Sequence, residues 1–447
     1  MSTKYTHRHL ARIVIEAVTP MSIGSGSGDA FSDSLVARDV NGFPYIPGTS
    51  LAGIVRNMIG KEDAKLVFGF PENKGKGSDV IFTEAKILDS NGNVIDNMVD
   101  PDSVQDPVLK MTYELPMRPH VKIGPDGAGV KGGLFSEQVI YAGTRFCFEI
   151  EMLSAESVSA AFERILEKIQ SRSFRIGGGT RCGFGEIKVI NIKKAVLDLR
   201  LPDDLELYLS KSSDLSAAWD GWKDIEVNEV VSEEYDIYTL VLQPVDLFLF
   251  SSGFGDRDAD ITPAKERMIV WEENNPAEIT SQMIMIPATS IKGAVSHRVA
   301  YHWNKLNGLF AGNPDAKVGE DNPAVQHIFG YQNDSGQQRG SVIFSDLYLK
   351  DMDASHEKIQ HHVMIDRFTG GTLQGALFEE KLVYGAGSSF STSIFLSKNV
   401  GQEYVKAFEY ALSDIVDGIL PLGGGVNRGH GVFKGQILKN DVPVLQK

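Results

Sequence analysis

Apolar and polar positions fall into short runs that recur, in the same order, in the two halves of the chain. Residues 12–18 (Arg-Ile-Val-Ile-Glu-Ala-Val) and 238–242 (Tyr-Thr-Leu-Val-Leu) are rich in β-branched and apolar side chains and predict opening strands. The runs 51–59 and 291–303 then have helical spacing, and Ser50 and Ser290 just ahead of them are residue types that cap free helical N–H groups. Strands are expected over 80–87 and 342–349, and again over 146–153 and 390–396. A second helix follows at 157–170 in one half and 403–415 in the other, each with apolar residues three and four apart. A glycine-rich loop and a last strand, 185–192 or 431–438, close each half. Strand, helix, strands, helix, strand is the order of a ferredoxin-like unit, a fold also used by RNA-recognition modules. The chain reads as α+β, with two tandem ferredoxin-like (RRM-like) domains at 1–197 and 237–447 and a connector at 198–236.

Four blocks of residues make the duplication explicit. Tyr45-Ile-Pro-Gly-Thr-Ser-Leu-Ala-Gly-Ile-Val-Arg56 is echoed by Met285-Ile-Pro-Ala-Thr-Ser-Ile-Lys-Gly-Ala-Val-Ser-His-Arg298. Val67-Phe-Gly-Phe70 followed by Val80-Ile-Phe-Thr-Glu84 is echoed by Ile328-Phe-Gly-Tyr331 followed by Val342-Ile-Phe-Ser-Asp346. Gly133-Leu-Phe-Ser-Glu-Gln-Val139 matches Ala376-Leu-Phe-Glu-Glu-Lys-Leu382, and Ile176-Gly-Gly-Gly-Thr-Arg-Cys-Gly-Phe-Gly185 matches Leu422-Gly-Gly-Gly-Val-Asn-Arg-Gly-His-Gly431. Four pairs in one order at nearly one offset indicate a duplicated domain.

The 447 residues are enough for two or three domains and a large core. Two cysteines, Cys147 and Cys182, are too few for a disulfide framework and too far apart for a paired-cysteine zinc motif. The N-terminus lacks the apolar core of a signal peptide and no apolar run approaches the ~20 residues of a membrane span, so a soluble cytoplasmic protein is expected. The formal charge of -15 argues at first against nucleic acid. The connector, however, carries twelve acidic residues against three basic ones, more than half of that excess. Charge placement within the repeats therefore matters more than the total.

Three consecutive glycines let successive backbone N–H groups face one concavity that takes phosphate oxygens. The loops Gly177-Gly178-Gly179 and Gly423-Gly424-Gly425 follow a helix and open a strand, the reverse of a dinucleotide-binding loop. Arg175, Arg181, Lys188, Arg428 and Lys434 flank them. At the helix starts, Thr49 and Ser50, and Thr289 and Ser290, place hydroxyls at an N-terminus that attracts anions, with Arg56, Lys292 and Arg298 further along. All are candidate contacts for a sugar-phosphate chain.

Ile-Pro-Gly-Thr-Ser-Leu-x-Gly-x-x-Arg near the N-terminus, with Gly-Gly-Gly-x-x-x-Gly-x-Gly before a last strand, resembles the RAMP superfamily of CRISPR proteins. The likeness is to the backbone subunits of type III effector complexes, and two units in one chain resemble the fused tandem subunit of type III-D systems. The second half departs from the pattern at Ala288 and carries an extra residue before Arg298. The resemblance implies guide RNA, target RNA and other subunits of the complex as partners, no membrane, and metal-dependent endoribonuclease activity on guide-paired RNA. It also implies a catalytic acidic residue between the first strand and the helix-start block. Asp33 matches best and Asp260 is placed opposite it, with Asp29, Asp258 and Asp256 as second choices. A carboxylate there would hold Mg2+ or Mn2+ near a scissile phosphate, and the attacking group would be the neighbouring ribose 2′-OH. The polar excursions 117–133 and 361–375 correspond to a thumb-like hairpin insertion, with Val121, Ile123, Met364 and Phe368 as apolar tips and Arg118, Lys122 and Arg367 as phosphate contacts. His361 and His362, lacking a matching cluster in the sequence, are read as structural or RNA-contacting. The alternatives are a non-catalytic guide-binding scaffold and a metal-independent guide-processing endoribonuclease using histidine.

Overall fold

The structure, a computed structural model, describes residues 5–29, 32–71, 75–124, 126–333 and 336–444. The first half contains β1 (His7–Ala17), α1 (Gly48–Met58), β2 (Met117–Ile123), β3 (Gly129–Gln138), β4 (Arg145–Ser154), α2 (Ala160–Ile169) and β5 (Ile187–Asp198). The second repeats it with β6 (Tyr235–Pro244), α3 (Ala288–Leu306), β7 (Glu357–His362), β8 (Phe378–Tyr384), β9 (Phe390–Ser397), α4 (Gln402–Val416) and β10 (Phe433–Lys439). In each half the first strand lies between the other two long strands, antiparallel to both: β4–β1–β5 and β9–β6–β10. A short strand, Val80–Phe82 or Val342–Ile343, flanks β4 or β9. This is the antiparallel ferredoxin-like order, found twice.

Side-chain alternation on β1 explains how that sheet packs. Ala11, Ile13 and Ile15 enter the core with Leu51 and Val55 of α1 and Phe162, Ile165 and Ile169 of α2. Ser159 caps α2 by accepting from the Phe162 N–H. In the second half Leu240 and Leu242 meet Val295 and Val299 of α3 and Phe408, Leu412 and Ile415 of α4. No helix among the described residues is long and apolar enough to cross a membrane.

Two local expectations are corrected. First, α1 and α3 start directly after Pro47 and Pro287, whose backbones are extended (ψ 135° and 129°). Ser50 and Ser290 therefore lie in the first turn and do not cap, because the prolines have already set the entry angle. Second, the strands expected at 80–87 and 342–349 each break in two. Lys86–Ile87 stays on β4, whereas Leu347–Tyr348 leaves to pair with Met283–Ile286 in a separate small sheet. The acidic connector packs against the first repeat. Its strand Lys223–Ile225 extends the first sheet by pairing with β5, and its helix Pro202–Leu209 lies over the other face of that sheet. Leu10, Ala195 and Leu197 of that face pack against Leu207, Tyr208, Trp219 and Trp222. Lys211 and Arg12 neutralise Glu149 below them. The open sheet face on which RNA-recognition modules stack bases is thus closed in the first half.

The halves meet along an extensive seam. A second-half arm around Ile269 and Trp271 reaches the turn before β4: Ile269 N–H donates to the Ala142 carbonyl (2.9 Å) and Trp271 Nε1–H to that of Gly143 (2.8 Å). Arg145 lies 3.8 Å above the Trp271 ring, and Val108, Met111, Ile269 and Ala277 form a joint apolar cluster. At the other end of the seam the first glycine-rich loop pairs Gly183 with Ser345.

Candidate functional site

Asp33 and Asp260 occupy the same environment in the two halves. The Asp33 carboxylate accepts from the Ser136 N–H (2.8 Å) and its own N–H donates back to the Ser136 carbonyl (3.0 Å). The Asp260 carboxylate accepts from the Glu379 N–H (2.9 Å) and its N–H returns to the Glu379 carbonyl (2.9 Å). Ser136 and Glu379 are equivalent positions of the third repeated block, on β3 and β8. Both aspartates are exposed and fixed at the base of a hairpin.

The second choices are engaged otherwise. Asp29 accepts from the Ser32 N–H (2.8 Å). Asp256 binds Lys381 Nζ at 2.5 Å, and that hydrogen bond holds its carboxyl down at about 2. Asp258 lies 3.5 Å from the same ammonium. Among the described residues no three His, Cys, Asp or Glu side chains group to hold a metal. The donor set at each site is one exposed carboxylate, which suits a largely hydrated Mg2+ or Mn2+ completed by substrate phosphate oxygens rather than an all-protein cage.

The two glycine-rich loops have one geometry, and it differs from the expected nest. Gly178 N–H donates to the Ser22 carbonyl and Gly424 N–H to the Leu249 carbonyl, both at 2.7 Å. Gly177 (φ +92°) and Gly423 (φ +90°) are required because a Cβ on either would lie 2.3 Å from that same carbonyl oxygen. The three amides are thus not all aimed at one anion; part of the glycine content serves close approach of two backbones. In the first half the loop, Ser22–Gly24 and the first turn of α1 enclose a cleft of about 270 Å³ lined by Ser22, Ser50, Ile54, Gly177 and Gly178. The fold thereby brings Ser50 and two of the predicted glycines together, with Thr49 beside Ser50.

Most of the predicted cations are turned elsewhere. Arg118 is buried, not exposed on the hairpin: its guanidinium makes a bidentate pair with Glu266 and a third bond to Asp346 (2.8 Å). Burial alone would lower its pKa, but Asp346 and Glu266 raise it, so the group stays charged. Arg175 is likewise buried, with Glu186 at 3.2 Å and Ser345 Oγ at 3.3 Å. Arg181 donates to the Gly340 carbonyl (2.9 Å). These arginines hold the seam between the halves, and a single-chain pattern gives no signal of the acidic partners that draw them there. Arg298 pairs with Asp414, Arg428 with Glu380, Lys188 with Glu16 and Lys122 with Glu320. Lys292 lies 3.3 Å from Cys182 Sγ. The N–H of Ala288, which would attract an anion at the start of α3, already donates to Asp346 (2.8 Å). Arg56 and Arg367 remain exposed.

Each hairpin also contains a pair that sequence reasoning missed. His120 Nε2 lies 3.2 Å from Glu137, and His362 Nε2 lies 3.0 Å from Glu380, both off the line of a hydrogen bond. The imidazoles stack on Phe135 and Phe378, with centroids 4.9 and 4.7 Å apart. Burial would raise the Glu137 carboxyl, but the neighbouring His120 imidazole and the Ser22 hydroxyl outweigh it and hold the group below its usual range. The signal was in the third repeated block, which contains both glutamates at nearly the same spacing from a histidine. Beyond these pairs the hairpins expose apolar side chains, among them Val121, Ile123 and Leu134 on one and Met364 and Phe368 on the other.

Two known proteins are similar to part of this chain. The CRISPR system Cms endoribonuclease Csm3 of Methanocaldococcus jannaschii is 26% identical over 204 residues, covering 40% of this chain and 77% of that protein. A chain from the cryo-EM structure of the type III-B Cmr-beta complex in its apo state is 17% identical, covering 42% of this chain and 98% of its own, with a TM-score of 0.30. The RAMP superfamily matches residues 14–188 and 272–434, one stretch in each half, and the chain belongs to that superfamily.

Proposed function

We propose that this chain is a tandem backbone subunit of a type III CRISPR ribonucleoprotein that binds guide RNA and cuts complementary target RNA, alongside the other subunits of the complex. The observation that carries the catalytic part is the duplicated anchorage of Asp33 and Asp260, each exposed and each fixed by one backbone amide at the base of a hairpin. The name of the archaeal relative, a CRISPR system endoribonuclease, supports the same reading. Mg2+ or Mn2+ held by either carboxylate would supply positive charge to the scissile phosphate. The protein's part is to fix that carboxylate, and the hairpin's exposed apolar side chains would part neighbouring bases so that a ribose 2′-OH comes into line. Base pairing with the guide reads sequence, so the cleft at Ser50, Gly177 and Gly178 needs only to grip a sugar-phosphate backbone.

In the assembled complex, Asp33→Asn and Asp260→Asn are each expected to remove a different cut from the ladder on complementary RNA, with guide binding unchanged. If both variants leave the ladder intact, the subunit is a scaffold. A single 2′-deoxy nucleotide at one scissile position is expected to abolish that cut alone; continued cutting there refutes attack by the 2′-OH.

A further inference from the structure

The two aspartate sites differ in what stands across the hairpin from them. In the first half the residue whose amide holds Asp33 is Ser136, and its partner across β2 and β3 is Pro119. In the second half the residue whose amide holds Asp260 is Glu379, and its partner across β7 and β8 is His361. His361 Nδ1 lies 3.2 Å from the Glu379 carboxylate, and the imidazole is 66% exposed. Glu379 thus stands between Asp260, bound at its backbone, and His361, bound at its side chain.

We propose that His361, oriented by Glu379, is the proton-transfer residue of the second site, a group the first site lacks. The inference rests on the reading of Asp260 as the carboxylate of an RNA-cutting site. A carboxylate only accepts, so the neutral imidazole carries its hydrogen on Nδ1 and leaves the lone pair on Nε2, the tautomer a base requires. Nε2 takes the proton of the 2′-OH as O2′ bonds to the adjacent phosphorus and the bond from phosphorus to the 5′-oxygen breaks. The departing 5′-oxygen takes a proton from solvent, and the imidazolium returns one. The products are a 2′,3′-cyclic phosphate and a 5′-hydroxyl, and no water is consumed. The charged groups around His361 are Glu379 opposite, Asp260 on the far side of β8, Lys381 on the same strand with Asp256 and Asp258 bound to it, and Asp366 and Arg367 on the excursion joining β7 to β8. Glu380 and His362, the next residue along each strand, form their own pair with Glu380 buried.

The chain carries its own control, since both cuts are made in one complex. Each cut is first assigned to its half by its loss in Asp33→Asn or Asp260→Asn. The first-half cut, with only solvent as base, is expected to keep rising about tenfold per pH unit, whereas the second-half cut is expected to level off. His361→Gln is expected to lower the second-half cut about 100-fold and convert its profile to the rising form, leaving the first-half cut as it was. A readout independent of cutting is the ring 15N spectrum of the full-length chain above pH 7.5, where His361 should show the Nδ1–H tautomer and lose it in Glu379→Gln. Matching pH profiles for the two native cuts, an undiminished second-half cut in His361→Gln, or an Nε2–H tautomer would each overturn the proposal. If Asp260→Asn spares every cut, the underlying site assignment fails instead.

Discussion

Arg118 shows how a residue type can be read correctly and its partner missed. An arginine next to proline on a polar excursion looks like a phosphate contact, yet here it is buried between Glu266 and Asp346 of the other half. Those carboxylates are held at low cost only while the guanidinium is present, because an unpaired buried charge costs several kcal/mol. Arg118→Ala is therefore expected to destabilise the protein by ~3–5 kcal/mol, measured by urea unfolding. A phosphate contact would instead leave unfolding unchanged and lower the salt dependence of RNA binding by about one unit of slope. The family resemblance singles out Asp33 and Asp260 by their place before the helix-start block, and the backbone amides that hold them belong to another of the repeated blocks.

Among the elements, the glycine-rich loops separate conformational need from contact. Gly177 has a positive φ and its missing Cβ leaves room for the Ser22 carbonyl, whereas a Cβ on Gly178 would meet that carbonyl oxygen at an ordinary 3.6 Å. Gly177→Ala is expected to destabilise the first half by at least ~1–3 kcal/mol, as non-glycine residues forced into such conformations do. Gly178→Ala should melt like the parent but bind guide RNA more weakly if the cleft takes the RNA backbone; thermal melts and binding isotherms on the two variants decide this. The helices and strands of the two ferredoxin-like units were legible from periodicity to within about six residues, whereas the hairpin strands and the helices Lys61–Phe68, Pro107–Tyr113 and Pro323–Phe329 lay outside the expected elements. The short strands were not legible: Leu347–Tyr348 closely follows Val342–Ile343, but it pairs with Met283–Ile286 for reasons that lie outside its own sequence.

At the scale of the whole molecule, the seam joins the halves independently of the covalent link. It combines the buried Arg118 network, strand-like backbone pairing at Gly183, the Trp271 and Arg145 stack and a shared apolar cluster. A protease site inserted after Ser232 and cleaved in the folded protein is expected to leave both fragments comigrating on gel filtration. Separation at neutral pH without denaturant would show that the seam depends on the connector. The connector also has a structural part, because its Lys211 joins Arg12 in neutralising Glu149 and its aromatic residues cover a sheet face.

The amino-acid sequence by itself determined the duplication and the order of elements in each unit. These are written in local periodicity and in blocks that recur along one chain, so no long-range contact is needed to read them. Only the tertiary structure decided which arginines are free, where the connector lies, and that a histidine faces one aspartate site while a proline faces the other. Each of these depends on the partner that a side chain meets across the sheet or across the seam, and that partner lies far away in sequence.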